Sequence, residues 1–212
     1  MFSTSPDVTV ARKAGVEGLR QTRAALDYAA ALHRGQLRKI DGAPFISHPR
    51  EVAELLHGAG APDHLSAAGA LHDVIEKTPA TAADLRRRFG GRVASLVSAV
   101  SEDERIASYG ERKAALRAQV AAAGDEALML FAADKISKAR ELRHKPLRGV
   151  GITNRERSRR LAQYGRALAL LRERLPDSPL VKALVDELAE VSRGVLADPC
   201  ASAGRKRRGR LA

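Results

Sequence analysis

The chain has 212 residues, 44% hydrophobic but only 3% aromatic, so its core must be built mainly from Ala, Leu and Val, a composition that favours helix over strand. A single cysteine, Cys200, excludes an intrachain disulfide framework, and no stretch approaches the roughly 20 apolar residues that span a bilayer. The net charge of +12 invites a nucleic-acid reading, but Arg205, Lys206, Arg207, Arg208 and Arg210 supply five of those charges within the last eight residues.

That distribution predicts a domain over residues 8–197 and a disordered basic tail over 198–212. Without interleaved aromatics to stack on bases, the tail is expected to attract nucleic acid only nonspecifically. Residues 1–7 lack a charged start followed by an apolar segment, so no signal peptide is expected. Together with the lone cysteine this predicts a cytoplasmic protein with no membrane partner.

Helical periodicity runs over 8–33, with Leu19, Leu26, Ala29, Ala30 and Leu32 as expected core positions. Turn residues at 40–44 lead to Ser47-His48-Pro49, where Pro49 suits the first position of the next helix. That helix carries Val52, Leu55 and Leu56 and stops at Gly58. Asp63 is the expected N-cap of a helix that carries the apolar run 67–75 and is ended by Thr78-Pro79. Thr81 caps a short helix over 82–89, Gly90-Gly91 interrupts, and an apolar face follows over 93–100. Further helices are predicted over 110–123, 125–142, 155–175 and 178–196, with a loop at 146–153 and no convincing strand. The predicted fold is all-α and a single domain.

One pair stands out. His72-Asp73 lies inside the apolar run, and buried ionisable groups normally pair with a charge or coordinate a metal. His48 precedes them, Asp134 follows, and each lies at or near a different predicted helix. Two imidazoles with two carboxylates suit Mn²⁺, Fe²⁺ or Zn²⁺ with open positions for water. Spacing alone leaves two readings standing: a metal site, or a hydrogen-bonded core His72 with Asp134 as a surface acid.

Residues 24–143 resemble the hydrolase domain of the RelA/SpoT homologues, of the small alarmone hydrolase type within the HD superfamily. The matching stretches are Ala29 to Lys39, Gly42-Ala43-Pro44-Phe45-Ile46-Ser47-His48-Pro49, and Ala67 to Glu76 with Thr78-Pro79. They continue in Phe89-Gly90, Glu111-Arg112-Lys113 and Ala133-Asp134-Lys135. The resemblance implies an HD-domain helical bundle with His48, His72, Asp73 and Asp134 holding a metal, usually Mn²⁺. It also implies removal of the 3′-pyrophosphate from guanosine tetra- or pentaphosphate, a phosphorylated nucleotide substrate. Arg38 and Lys39 match a loop lining the nucleotide site, and Arg160 and Tyr164 match a phosphate- and base-contacting pair. No segment resembles the family's synthetase domain.

The pattern breaks in three places. Glu76, four residues after His72 and three after Asp73, is the expected catalytic group that orients or deprotonates water. The family follows it with Asp, whereas this chain has Lys77, which cannot serve as a carboxylate and is expected at a helix end pointing to solvent. Lys138 stands where the family places an Asn facing the nucleotide, and Tyr109 where a Lys is common. These breaks keep open an HD hydrolase of another nucleotide or phosphoester, or a catalytically weak nucleotide-binding protein.

Overall fold

The computed structural model describes residues 16–143 and 152–196. After a 3-10 turn at Val16–Gly18 the elements are α1 (Arg20–Leu32), α2 (Ser47–Gly58), α3 (Asp63–Leu71) and α4 (Val74–Lys77). There follow α5 (Ala82–Val100), α6 (Tyr109–Ala123), α7 (Asp125–Glu141), α8 (Asn154–Arg174) and α9 (Pro179–Leu196). Among the described residues the sole isolated extended pairing joins Leu37 to Pro44, closing the loop after α1. The fold is all-α. The basic tail at 198–212, residues 8–15 and most of the 146–153 loop lie outside the described residues.

Local chemistry sets most boundaries. Thr81 and Asp84 form a capping box at the start of α5, each side chain bonding the other's backbone N–H. Gly90, at φ +87°, breaks the helical geometry inside α5 and divides it at the Gly-Gly pair, as the sequence suggests. A second capping box, Thr153 with Glu156, opens α8.

Several local expectations are corrected. α1 begins only at Arg20, because Leu19 is extended (φ −89°, ψ 108°), so the helix does not run unbroken through the described part of 8–33. Ala30 is exposed; Ala25, Leu26 and Ala29 form the buried stripe, with Leu19 and Leu32 packed at its edge. Pro49 is the third residue of α2, not the first, which costs nothing because that N–H also lacks an intrahelical acceptor. Asp63 does not cap α3, of which it is the first residue. Its carboxylate instead accepts the N–H groups of Gln21 (2.9 Å) and Thr22 (2.8 Å) and the Thr22 hydroxyl (2.7 Å), capping α1 across the interface.

Two helices form the centre. Every residue of α3 from Leu65 to Leu71 is buried, with α1, α2, α5 and α7 packed around it. α7 buries its whole run from Ala127 to Ala139 except Met129 and Lys138, against α2, α3, α5, α6, α8 and α9. A helix apolar on all sides belongs in an interior. Gly69 lets α2 approach α3 closely: a Cβ there would stand 2.7 Å from Leu56 Cδ1 and 3.3 Å from the Ala53 backbone. That close crossing brings His48, near the start of α2, toward His72 at the end of α3.

Candidate metal centre

After Leu71 the chain turns through His72 (φ −58°, ψ −31°) and Asp73 (φ −93°, ψ −5°) before α4 begins. Consecutive side chains on a regular helix diverge by about 100°. The turn at Asp73, in the sparsely used bridge region, lets both side chains reach one point. His48 arrives from α2 and Asp134 from the middle of α7, and all four side chains are buried. Asp134 is therefore no surface acid.

His48 Nε2 lies 3.1 Å from His72 Nε2, 3.3 Å from Asp134 Oδ1 and 3.5 Å from Asp73 Oδ2. His72 Nε2 lies 3.4 Å from Asp134 Oδ1 and 3.5 Å from Asp73 Oδ2. Proton positions decide what this cluster is. His72 Nδ1 is 2.8 Å from the Gly69 carbonyl, which only accepts, so Nδ1 carries the hydrogen. His48 Nδ1 is 2.8 Å from Ser137 Oγ, whose own proton goes to Glu51 Oε2 at 2.6 Å; His48 Nδ1 therefore donates too. Both Nε2 lone pairs then face each other and two carboxylate oxygens. With both imidazoles neutral, four acceptor atoms converge with no donor among them, an arrangement that a shared cation or a proton on His72 would satisfy.

The carboxylates agree. Asp73 Oδ2 and Asp134 Oδ1 are buried with no hydrogen-bond partner. Lys138 Nζ stands 2.7 Å from Asp134 Oδ1 as an ion pair without hydrogen-bond alignment, and Lys135 pairs with the other oxygen. Ligand atoms about 2.1 Å from a shared ion are about 3.0 Å apart in octahedral and about 3.4 Å apart in tetrahedral geometry, matching these separations. His48, His72 and Asp134 thus form a cluster fit for a divalent metal, and Asp73 Oδ2 faces the same two imidazole nitrogens.

Burial drives His48 down to about 4, keeping its imidazole neutral. Burial also opposes a charge on His72, but Asp73 and Asp134 outweigh it and hold that imidazole above its usual range. Asp73 and Asp134 are held below the ordinary carboxyl value despite burial, Asp73 chiefly by Lys138 and Asp134 chiefly by Lys135. Burial, reinforced by Asp73, pushes Glu76 upward.

A cavity opens beside the centre, lined by seven basic side chains against three carboxylates. Glu76, Lys77, Lys135 and Lys138 line it, as do Tyr109, Lys113, Phe131 and Tyr164. Arg117, Arg159 and Arg160 extend its basic wall. Glu76 Oε1 accepts the Glu102 N–H at 2.6 Å, and Arg112 (2.9 Å) and Lys113 hold the Glu102 carboxylate. Lys77, though exposed, is not simply turned to solvent: Nζ lies 3.8 Å from Asp73 Oδ1 and 5.5 Å from the Phe45 ring centre. Tyr109 lies under the Arg159 guanidinium, 4.0 Å from its ring centre.

Arg38 and Lys39 do not line this cavity. Arg38 is occupied by Asp41 and by Glu141 at 3.5 Å, while Lys39 is exposed. Sequence reasoning missed Ser137 and Glu51, three residues beyond Asp134 and His48 respectively and so on the same helix faces. It also missed Lys135, although that lysine is adjacent to Asp134. Arg159 and Arg117 carried no local signal.

Helical packing around a buried His-Asp cluster fit for a divalent metal, beside a basic cavity, defines a class of protein able to present a metal to an anionic ligand. Residues 25–164 match the HD domain family, and the chain belongs to that family. It is 37% identical over 121 residues to human guanosine-3′,5′-bis(diphosphate) 3′-pyrophosphohydrolase MESH1, covering 56% of this chain and 67% of that protein. It is 36% identical over 130 residues to the GTP pyrophosphokinase of Streptomyces coelicolor, covering 59% of this chain but only 15% of that much longer one. A solved structure described as a metazoan ortholog of SpoT that hydrolyzes ppGpp superposes with a TM-score of 0.70 at 26% identity. That match covers 91% of this chain and 99% of the other.

Proposed function

We propose that this chain is a metal-dependent phosphohydrolase that removes the 3′-pyrophosphate from guanosine tetra- or pentaphosphate. In this reading His48, His72, Asp73 and Asp134 hold Mn²⁺. The observation that carries it is the convergence of two imidazole nitrogens and two carboxylate oxygens at one buried point beside a basic cavity. The likeness to the human 3′-pyrophosphohydrolase supports the substrate.

When bound, the metal supplies Lewis-acid polarisation and a lowered water pKa. Glu76, fixed by the Glu102 N–H and with its carboxyl raised above the ordinary value by burial, orients the attacking water and takes its proton. Lys138, Lys135 and Lys77 balance phosphate charge at the inner end of the cavity, and Arg160 and Tyr164 contact the nucleotide farther out. Arg38, through Asp41 and Glu141, braces the 36–44 loop. A phosphorylated nucleotide substrate supports a cytoplasmic location; separately, no helix among the described residues is long and apolar enough to cross a membrane.

The cation excess contributed by Lys77 and Lys138 favours one alternative, another phosphorylated nucleotide. A single experiment separates the readings: metal-loaded protein is offered a nucleotide panel and the products are followed by phosphorus NMR. Pyrophosphate released from guanosine tetraphosphate is the expected result. Preferred turnover of another nucleotide would replace the substrate, and tight binding without turnover of any would leave a sensor instead of an enzyme.

A further inference from the structure

His48 is held by more than Ser137. The hydroxyl that accepts from its Nδ1 donates to Glu51 Oε2. The other Glu51 oxygen accepts from Arg140 at 2.8 Å, and Arg140 Nε donates to Glu187 Oε1 at 2.7 Å. Arg143 completes the chain on Glu187 Oε2 at 2.9 Å. This continuous run joins α2, α7 and α9, beginning at a fully buried imidazole and ending at the surface.

Directionality gives the run its consequence. A hydroxyl has one proton, and a carboxylate engaged by a guanidinium has none to give. With that proton committed to Glu51, Ser137 can only accept from His48, so Nδ1–H is enforced and Nε2 keeps its lone pair toward the centre. Glu141 Oε1 also lies 3.5 Å from Nδ1, beyond good hydrogen-bond length, and is shared with Arg38 at the same distance. It cannot replace Ser137.

We propose that Ser137, Glu51 and Arg140 form a positioning relay that selects the His48 tautomer and thereby sets how well the centre binds metal. The proposal rests on the metal reading for its consequence but not for its geometry. Outer partners of metal-bound histidines typically change metal affinity by about 10–100-fold.

The test uses the full chain and two readouts: nitrogen chemical shifts of the His48 ring without metal, and the equilibrium Mn²⁺ affinity. Ser137→Ala and Glu51→Gln should each let His48 populate Nε2–H and weaken Mn²⁺ by about 10–100-fold. Ser137→Thr should restore both, and Ser98→Ala, which removes a hydroxyl bonded only to Ala94 O, should match wild type. Glu51 is half-exposed, so its variant keeps the test open if Ser137→Ala does not fold. Nδ1–H retained with Mn²⁺ affinity unchanged in both variants would overturn the relay. Tautomer shifts in a wild type that binds no Mn²⁺ would instead leave the relay standing and defeat the metal reading.

Discussion

At the scale of single residues, the centre is a problem of protons. His48 and His72 occupy equivalent positions yet are pushed in opposite directions, His48 down by burial and His72 up by the two aspartates that outweigh it. His72 therefore keeps a proton to higher pH than an ordinary histidine, and a metal must displace it. The sign follows: affinity is lost as pH falls through the raised His72 value and is full above it. As pH falls through that raised value, apparent Mn²⁺ affinity should drop by up to about tenfold per pH unit, measured by equilibrium titration. A pH-independent affinity would mean that His72 is not a ligand. The His-Asp cluster was legible because two ionisable residues in an apolar run are costly without a partner. Ser137 and Glu51 were not, because a Ser and a Glu on amphipathic helices look like any others until the packing shows what they face. Arg38 misled for the converse reason: its charge is visible in sequence, but its commitment to Asp41 and Glu141 is not.

At the scale of elements, close helix approach sets the geometry of the His-Asp cluster. Gly69 allows the α2–α3 crossing, and Gly69→Ala would push a methyl against Leu56 and the Ala53 backbone, both completely buried. Overpacking of this kind costs about 1–3 kcal/mol. Because the same crossing carries His48 toward His72, the variant should lower both the denaturant midpoint and Mn²⁺ affinity; lowered stability with metal affinity intact would separate the crossing from the site. Asp63 offers a second test away from the metal. Burial raises its carboxyl, but the Thr22 hydroxyl and the Gln21 and Thr22 N–H groups outweigh it, leaving it below its ordinary value. Its contribution is thus present at neutral pH and is lost only as pH falls through that depressed value. Asp63→Ala should cost about 1–2 kcal/mol at neutral pH by chemical denaturation, and less in acid. Helix order, the Thr81 cap and the Gly90 break were readable because their causes lie within a few residues. The target of Asp63 was not, because a cap acting across a tertiary interface has the same local signature as one acting on its own helix.

At the scale of the whole molecule, two buried helices hold opposite sides of one centre. The His72-Asp73 turn follows α3, Asp134 rides on α7, and the cavity is walled by α4, α6, α7 and α8. The all-α bundle was legible from composition and periodicity. The basic wall was not, because Arg117 and Arg159 are far apart in sequence and converge only when α6 packs on α8. The central claim is that one divalent ion at His48, His72, Asp73 and Asp134 makes this bundle a pyrophosphohydrolase. Its most direct test titrates metal-stripped protein with Mn²⁺ while pyrophosphate release from guanosine tetraphosphate is followed, in wild type and in Asp73→Ala. The account predicts that wild-type turnover rises in step with one bound ion per chain and vanishes with chelator, and that Asp73→Ala loses both binding and turnover. Undiminished release in the presence of chelator, or full turnover by Asp73→Ala, would contradict it.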